Sequence, residues 1–174
     1  MHLSGINLIP LNISHLELVR NWRNNELIAS FMEYQEYITK EAQQQWFETI
    51  QNTENYYFII ETNKTSIGLI HLNKVDEINK SAHSGLFIGE EKYQGTGIAL
   101  AASILILSFA FETLDLNKVY AKVNKDNMAV IEYNQFLGFD FETKMNDKFD
   151  LYKMCSIKFS EKKAYLTNLI GVIN

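Results

Sequence analysis

A strand, a glycine-containing turn and a long apolar helix follow one another in the middle of this chain. Residues 85–89 form the apolar run, residues 93–99 (YQGTGIA) form the turn, and residues 99–114 have a helical pattern. The first turn of a helix carries unpaired N–H groups and the positive end of the helix dipole. Because Gly95 and Gly97 leave the backbone open to a ligand, this unit predicts a phosphate or pyrophosphate site.

The turn differs from the two common nucleotide-binding loops. No Lys-Ser/Thr pair follows the glycines, as it would in a Walker loop, and the third glycine of a dinucleotide fingerprint is missing near Leu100. What remains is the pattern Gln-x-x-Gly-x-Ala, formed by Gln94, Gly97 and Ala99. Two glycines between a strand and a helix also occur as plain turn chemistry, so the rest of the chain decides between these readings.

The second half of the chain carries a more specific pattern. Residues 118–123 alternate and are partly β-branched, which predicts a strand, and Asn127 and the pair Gly138-Phe139 follow it. With these motifs in this order, the chain resembles the GNAT superfamily of acetyl-CoA-dependent N-acetyltransferases over residues 3–159. The resemblance implies an α/β fold with a mixed, splayed central sheet of about six to seven strands and about four flanking helices. It also implies acetyl-CoA as co-substrate, without a metal.

The predicted element order is β-αα-βββ-α-β-α-ββ, which matches the layout of that family. In this layout the sheet opens after the fourth strand, and the pantetheine arm of the cofactor enters the gap. We predict a first helix over 14–24 with Ser14 as its N-cap, and a second over 39–52 with Thr39 as its N-cap. The last predicted strand covers 151–159.

Length and composition fit one globular domain. The chain has 174 residues, of which 47% are hydrophobic, enough for a substantial core. We therefore predict a single N-acetyltransferase domain over 1–174, with its core at about 3–159 and a C-terminal extension at 160–174.

Charge and cysteine usage limit the partners. The formal net charge is −5, which does not favour a nucleic-acid backbone, and the one cysteine, Cys155, excludes an intramolecular disulfide. The start of the chain lacks a basic region followed by a long apolar run. The most apolar segment, 98–111, is shorter than a membrane span. We expect a cytoplasmic protein that binds a small-molecule amine and neither nucleic acid nor membrane; a homodimer is left open.

The family resemblance assigns the cofactor site residue by residue. Backbone N–H groups around the turn would hold the pyrophosphate, and the open strand would pair with the pantetheine amides and polarise the thioester carbonyl. Asn127 would hydrogen-bond the pantetheine arm, and it also suits the N-cap of the following helix. The turn residues are Gln94, Gly95, Thr96, Gly97, Ile98 and Ala99, and the strand residues are Leu86, Phe87 and Ile88.

The catalytic candidates are His83, Asn134 and Tyr133. Many relatives carry Glu where this chain has His83, and an imidazole can take a proton from the amine, directly or through water. A hydrogen-bonded strand histidine is the structural alternative. Many relatives also carry Tyr where this chain has Asn134, which can donate a hydrogen bond to the sulfur but cannot protonate it. Tyr133 is one residue out of phase, about 100° around the helix, so it either packs or acts as the acid in a distorted helix.

The acceptor site is expected over the first two helices and the loop between them. The run Trp22-Arg23-Asn24, followed by Met32, resembles the nucleotide-sugar N-acetyltransferases, which acetylate the 4-amino group of UDP-linked amino sugars. Tyr34 and His83 are further candidates for contact with the acceptor. Arg23 would meet a diphosphate, and Met32 and Tyr34 would pack on a 6-deoxy methyl group or a base. The structural alternatives are a surface cation for Arg23 and a core position for Trp22.

Three other functions stay open. Ribosomal-protein N-acetyltransferases share the turn and the later helix, and the acidic net charge would suit a polyamine. Several nucleotide-sugar relatives carry His where this chain has Gln43, which leaves the amino-sugar assignment broad. The missing tyrosine also suits a regulatory domain that binds acyl-CoA without turnover.

Overall fold

The computed structural model describes residues 1–173, with side chains as far as Ile170. Within these residues eight strands form one sheet. In chain order the strands are β1 (His2–Leu3), β2 (Ile6–Pro10), β3 (Tyr56–Thr62), β4 (Thr65–Asp76), β5 (Ser81–Ile88), β6 (Lys118–Asn124), β7 (Asp140–Lys144) and β8 (Phe149–Cys155). Their order across the sheet is β1-β2-β3-β4-β5-β6-β8-β7.

Six α-helices accompany the sheet in the described part of the chain. They are α1 (Leu16–Arg23), α2 (Glu26–Ala29), α3 (Lys40–Thr49), α4 (Ile98–Ser108), α5 (Met128–Leu137) and α6 (Ser156–Ile173). Short 3-10 turns at Ile13–His15 and Glu91–Tyr93 precede α1 and α4, and a π-helical turn at Phe109–Thr113 ends α4.

One pair of neighbouring strands in the sheet is parallel. β5 and β6 pair in parallel from Ser81↔Lys118 to Ser84↔Ala121, whereas the other neighbouring strands are antiparallel. A parallel pair needs a crossover connection, and the turn with α4 supplies it. The unit of strand, turn and helix over residues 85–114 therefore contains the crossover at the centre of the sheet.

Helices cover both faces of the sheet and bury two apolar clusters. The main core includes most of α4, with side chains of the sheet, α5 and α6. The second core is smaller and lies under α1; its buried members are Val19, Trp22, Ile28, Ile59 and Leu69. Alternate residues of a strand point to opposite faces, so Ile70 and Leu72 join the main core while Leu69 joins the second.

The predicted fold class is confirmed, with more elements than expected. The two-residue strand β1 and the helices α2 and α6 make up the difference. Residues 156–159 are helical, so the prediction of a strand through Phe159 was wrong. Pairing with β6 ends at Cys155, which faces Lys118, and the helical spacing of Phe159, Leu166 and Ile170 buries all three.

The N-terminal cap of the first helical segment also differs from the expectation. Asn12, not Ser14, forms the cap: its side chain accepts from the N–H of Ser14, and the His15 side chain accepts from the N–H of Asn12. Thr39 caps α3 as predicted, accepting from the N–H of Ala42 at 3.1 Å.

The segment predicted as a C-terminal extension belongs largely to α6, which packs against α4; Asn174 lies outside the described residues. Leu166 is fully buried and Phe159 is 1% exposed, so the segment closes the main core. Among the helices described, none is long and apolar enough to cross a membrane.

Truncating Leu166 tests whether α6 is part of the cooperative domain. Leu166→Ala should lower the free energy of unfolding by about 2–5 kcal/mol, as buried leucine truncations do. The neighbouring Tyr165 is 57% exposed, so Tyr165→Ala is the matched control and should change stability by less than about 1 kcal/mol. Urea unfolding followed by circular dichroism measures both. Equal stability of the two variants would show that α6 is an appendage.

Candidate functional site

The sheet opens between β5 and β6. Their pairing ends at Ser84↔Ala121, after which β6 continues against β8 and β5 continues against β4. Among the described residues, the edge of β5 from Gly85 to Ile88 that faces β6 has no partner strand. Such an edge presents backbone N–H and C=O groups that a ligand can pair with. The opening includes Leu86, Phe87 and Ile88, the candidates for pairing with pantetheine amides.

The turn after β5 is shaped by its own side chains. Gln94 donates from Nε2 to the carbonyl of Ile88 at 3.1 Å, and Thr96 donates from Oγ1 to the carbonyl of Tyr93 at 2.7 Å. Gly95 has φ +72°, a left-handed conformation that favours glycine. A Cβ added to Gly95 would meet nothing within 4 Å, so the space beside it is open to a ligand.

The turn and the start of α4 offer a run of unused donors. None of the N–H groups of residues 95–100 has an acceptor within the part of the chain that the structure describes. Six successive free donors at a helix N-terminus suit an anion such as pyrophosphate. The predicted residues Gly95, Thr96, Gly97, Ile98 and Ala99 therefore fit the cofactor expected from the sequence.

Three polar residues of α5 occupy different environments. The Asn127 side chain accepts from the N–H of Val130 at 3.2 Å and caps the helix. The Tyr133 hydroxyl lies 2.7 Å from Ser103 Oγ of α4, and burial raises its pKa above the ordinary value despite that hydrogen bond. The buried Asn134 side chain makes no hydrogen bond with another described residue. Asn134 thus keeps its donor free, whereas the Tyr133 hydroxyl is already partnered.

His83 lies in β5, where the sheet is still closed. It faces Asn73 of β4 on one side and Tyr120 of β6 on the other, with its ring 5.5 Å from the Tyr120 ring. Burial lowers the pKa of His83, and the charges of Lys74 and Lys122 lower it further. The imidazole is therefore neutral near pH 7 and can accept a proton.

Trp22 is a buried member of the second core. Its Nε1 donates to Glu90 Oε1 at 2.9 Å, and its ring meets Phe87 edge-on at 6.2 Å. A Cβ on Gly89 would lie 2.3 Å from the Trp22 ring. These contacts fix α1 against the end of β5, so Trp22 shapes the acceptor side through packing.

The other acceptor candidates lie at or beyond the end of α1. Met32 is partly buried against the second core, and Tyr34 is 50% exposed in the following loop. The Arg23 guanidinium makes no hydrogen bond or ion pair with a described residue, and its Nε is buried without a partner. Burial lowers the pKa of Arg23, but arginine keeps its charge in proteins. Arg23 is thus an unpaired cation rather than a surface one.

Two residues of this face, His71 and Tyr57, were not singled out in the sequence. His71 of β4 stacks on Tyr57 of β3, with ring centroids 4.7 Å apart, and Tyr57 packs edge-on against Trp46 of α3. The alternation in β4 carried a signal, because His71 and Asn73 share the face of Leu69, whereas Ile70 and Leu72 lie opposite. Gln43 of α3, 4% exposed, has a buried Nε2 without a partner.

The loop between α2 and α3 is tied to the far side of the opening. Glu33 accepts a hydrogen bond from Lys122 Nζ of β6. At its other end Asn24 bonds both backbone groups of Ile38. The loop therefore borders the acceptor face and brings one carboxylate to it, already paired. No group of His, Cys, Asp and Glu side chains able to hold a metal ion occurs in the described residues.

Comparison with known proteins gives a consistent picture. The family described as Acetyltransferase (GNAT) domain matches residues 6–140. Acetyltransferase PseH of Campylobacter jejuni subsp. jejuni is 32% identical over 162 residues, which are 91% of this chain and 95% of the relative. Spermidine N(1)-acetyltransferase of Escherichia coli K12 is 26% identical over 148 residues, 83% of this chain and 78% of the relative.

A solved structure shows the same fold. Spermidine N-acetyltransferase of Vibrio cholerae, crystallised with CoA and spermine, aligns with a TM-score of 0.78 at 24% identity. The alignment covers 90% of this chain and 99% of that one.

Substitutions at Gly97 test the anion site. Gly97→Gln should weaken CoA binding by bulk, and Gly97→Glu should weaken it roughly tenfold more, because like charges about 4 Å apart repel by about 1–4 kcal/mol. Calorimetric titration with CoA measures both, and circular dichroism checks that the fold is kept. The difference between Gln and Glu should shrink as salt is raised. CoA binding unchanged in Gly97→Glu would place the pyrophosphate elsewhere.

Proposed function

The chain belongs to the GNAT family and is an acetyl-CoA-dependent N-acetyltransferase, and we propose that it acetylates the 4-amino group of a nucleotide-linked amino sugar. The observation that carries this assignment is the unpaired Arg23 guanidinium on the acceptor side of the sheet. Arg23 is half-buried and its Nε is buried without a partner; partial desolvation of an unpaired charge is costly, so the ligand that completes this site should bring negative charge. The diphosphate of a nucleotide sugar supplies oxygens that match the planar guanidinium.

The surroundings of His83 support the same choice. Lys74 and Lys122 both lie close enough to lower its pKa, and the nearby carboxylate of Glu33 is paired with Lys122. With Glu33 paired to Lys122, Arg23 and Lys74 leave the acceptor face with more positive charge than the net charge of −5 of the whole chain indicates. An anionic acceptor is attracted to such a face, while a polycation is repelled.

The chain's residues would divide the chemistry between the two sides of the opening. Acetyl-CoA supplies a thioester whose carbonyl carbon forms the new bond to the amine nitrogen as the carbon–sulfur bond breaks. A backbone N–H on the open edge near Phe87 would donate to the carbonyl oxygen and stabilise its developing charge. The neutral His83 imidazole would accept the proton that the amine loses, directly or through a water molecule.

The departing thiolate would be stabilised by a hydrogen bond from Asn134. Its buried amide has no partner among the described residues, whereas the Tyr133 hydroxyl is bound to Ser103. A thiol of ordinary pKa is a tolerable leaving group without a protein acid. The sulfur would then leave as an anion and take its proton from solvent.

Polyamine acetylation is the second candidate. Two observations favour it: the similarity to a spermidine acetyltransferase and to a structure of such an enzyme in complex with CoA and spermine, and the acidic net charge. A spermidine site would require carboxylates that face the acceptor. Glu33 could bind a polyamine only after its ion pair with Lys122 is broken. Because Arg23 has no such partner, this candidate leaves its charge unexplained. Acetylation of a protein N-terminus, or acyl-CoA binding without turnover, has no comparable support.

Arg23 variants test the acceptor class. Arg23→Ala should raise KM for a UDP-linked 4-amino sugar about tenfold or more, since a charge-assisted hydrogen bond contributes about 1.5–3 kcal/mol. Arg23→Lys should recover only part of it because the fork geometry is lost. CoA affinity should not change in either variant, and Lys144→Ala, on the exposed strand β7, controls for loss of one positive charge. Efficient turnover of spermidine or peptides, with none of UDP- or dTDP-amino sugars, would contradict the proposal.

The pH profile tests His83. Its lowered pKa means that the neutral form is present at and above neutral pH and is lost as the pH falls. We expect kcat/KM to rise with pH through an apparent pKa below the ordinary histidine value. In His83→Gln this limb should disappear, with a rate loss of roughly 10²–10⁴. Tyr133→Phe should keep both the limb and most of the rate. A silent His83→Gln together with an inactive Tyr133→Phe would make Tyr133 the catalytic group.

A further inference from the structure

His71 stands at the point where the sheet opens. It faces Gly85 across the β4–β5 pair, and Gly85 is the first residue of β5 beyond the last pair with β6, Ser84↔Ala121. His71 lies on the same face of the sheet as His83, because Asn73↔His83, His71↔Gly85 and Leu69↔Phe87 are successive same-face pairs. This is the face that α1 and the acceptor candidates cover.

The missing side chain of Gly85 makes room for the His71 ring. A Cβ at Gly85 would lie 2.5 Å from Cε1 of His71 and 3.0 Å from its Nε2, so the ring covers the backbone of β5 at this position. On its other side the ring stacks on Tyr57, with an interplanar angle of 21°. The imidazole is thus held between two strands, beside the open edge of Leu86–Ile88.

Neither ring nitrogen of His71 hydrogen-bonds with a residue that the structure describes, although the side chain is only partly open to solvent. Burial lowers the pKa of His71 to about 4, and the charges of Arg23 and His83 act in the same direction. The ring is therefore neutral at physiological pH, with one nitrogen able to accept a hydrogen bond. The ring nitrogens are not among the buried atoms without a partner, so the accepting nitrogen is open to a donor that enters from solvent.

We propose that His71 is a further acceptor-binding residue, whose ring nitrogen accepts a hydrogen bond from an N–H of the reacting amine. This bond orients the lone pair of the amine towards the open edge of β5. His71 takes up no proton in this role; the proton lost by the amine goes to His83. The inference rests on the proposed entry of the acceptor over α1, and it holds for either an amino sugar or a polyamine.

Three variants separate binding of the amine from packing. His71→Ala removes the acceptor, His71→Gln replaces it with a non-titrating carbonyl oxygen, and Gly85→Ala displaces the ring without changing residue 71. We expect kcat to fall about ten- to a hundredfold in His71→Ala and Gly85→Ala, as small misplacements of reacting groups do. His71→Gln should restore kcat to within about threefold of wild type. The Gly85→Ala loss should vanish in the His71→Ala background, where no ring remains to be displaced.

Two further readouts distinguish this role from others. CoA affinity should stay at the wild-type value, and the acidic limb of the pH profile should persist in all three variants, because it belongs to His83. Wild type is assayed first with a UDP-linked 4-amino sugar and with spermidine, and the variants with the acceptor that it prefers. A preference for spermidine overturns the proposed substrate alone. A wild-type kcat in His71→Ala, a loss that His71→Gln does not restore, or loss of the limb would overturn the role of His71.

Discussion

The end of pairing between β5 and β6 after four residue pairs is the constraint on which the site depends. An unpaired strand edge inside a sheet leaves backbone groups that must find other partners. Here the crossover through α4 holds the strands apart at one end while parallel pairing closes them at the other. The same opening brings the free donors of residues 95–100 to one side of the sheet and the two histidines to the other. In the proposed mechanism, cofactor and acceptor approach the open edge of β5 from these two sides and meet there.

Local electrostatics on the acceptor face run against the charge of the whole chain. Arg23 is unpaired, and Lys74 and Lys122 add positive charge near His83. Burial is the main cause that lowers the pKa of both histidines; the charge of Arg23 adds to it at His71, and the charges of Lys74 and Lys122 add to it at His83. The face thus combines an unpaired cation, which suits the proposed anionic ligand group, with a neutral imidazole, which suits the proposed base. The net charge of −5 does not predict this local distribution of charge, because it is the sum over the whole chain, including residues far from the acceptor face.

Features that are local in sequence were predictable, and features that depend on pairing across strands were not. The turn at 93–99, the crossover helix and the caps Thr39 and Asn127 follow from adjacent residues. The prediction of a strand through Phe159 was wrong because a short apolar run is compatible with either a strand or a helix. Pairing with β6 ends at Cys155, and the chain continues from there as a helix. His71 was not predicted as a site residue because its position depends on ring contacts with Gly85 and Tyr57, which are distant from it in sequence. The unpaired state of Arg23 likewise required the packed structure.

Asn134 and Tyr133 show how one step around a helix divides two roles. Tyr133 points into the main core, where Ser103 binds its hydroxyl and burial makes its ionised form costly. Its proton is therefore held by the protein interior and is poorly suited to a leaving group. The side-chain amide of Asn134 can donate a hydrogen bond but cannot give up a proton. In the proposed mechanism the protein then takes part in a single proton transfer, from the amine to His83. A nearby imidazole of normal basicity could compete for that proton, and the neutral, desolvated His71 avoids this.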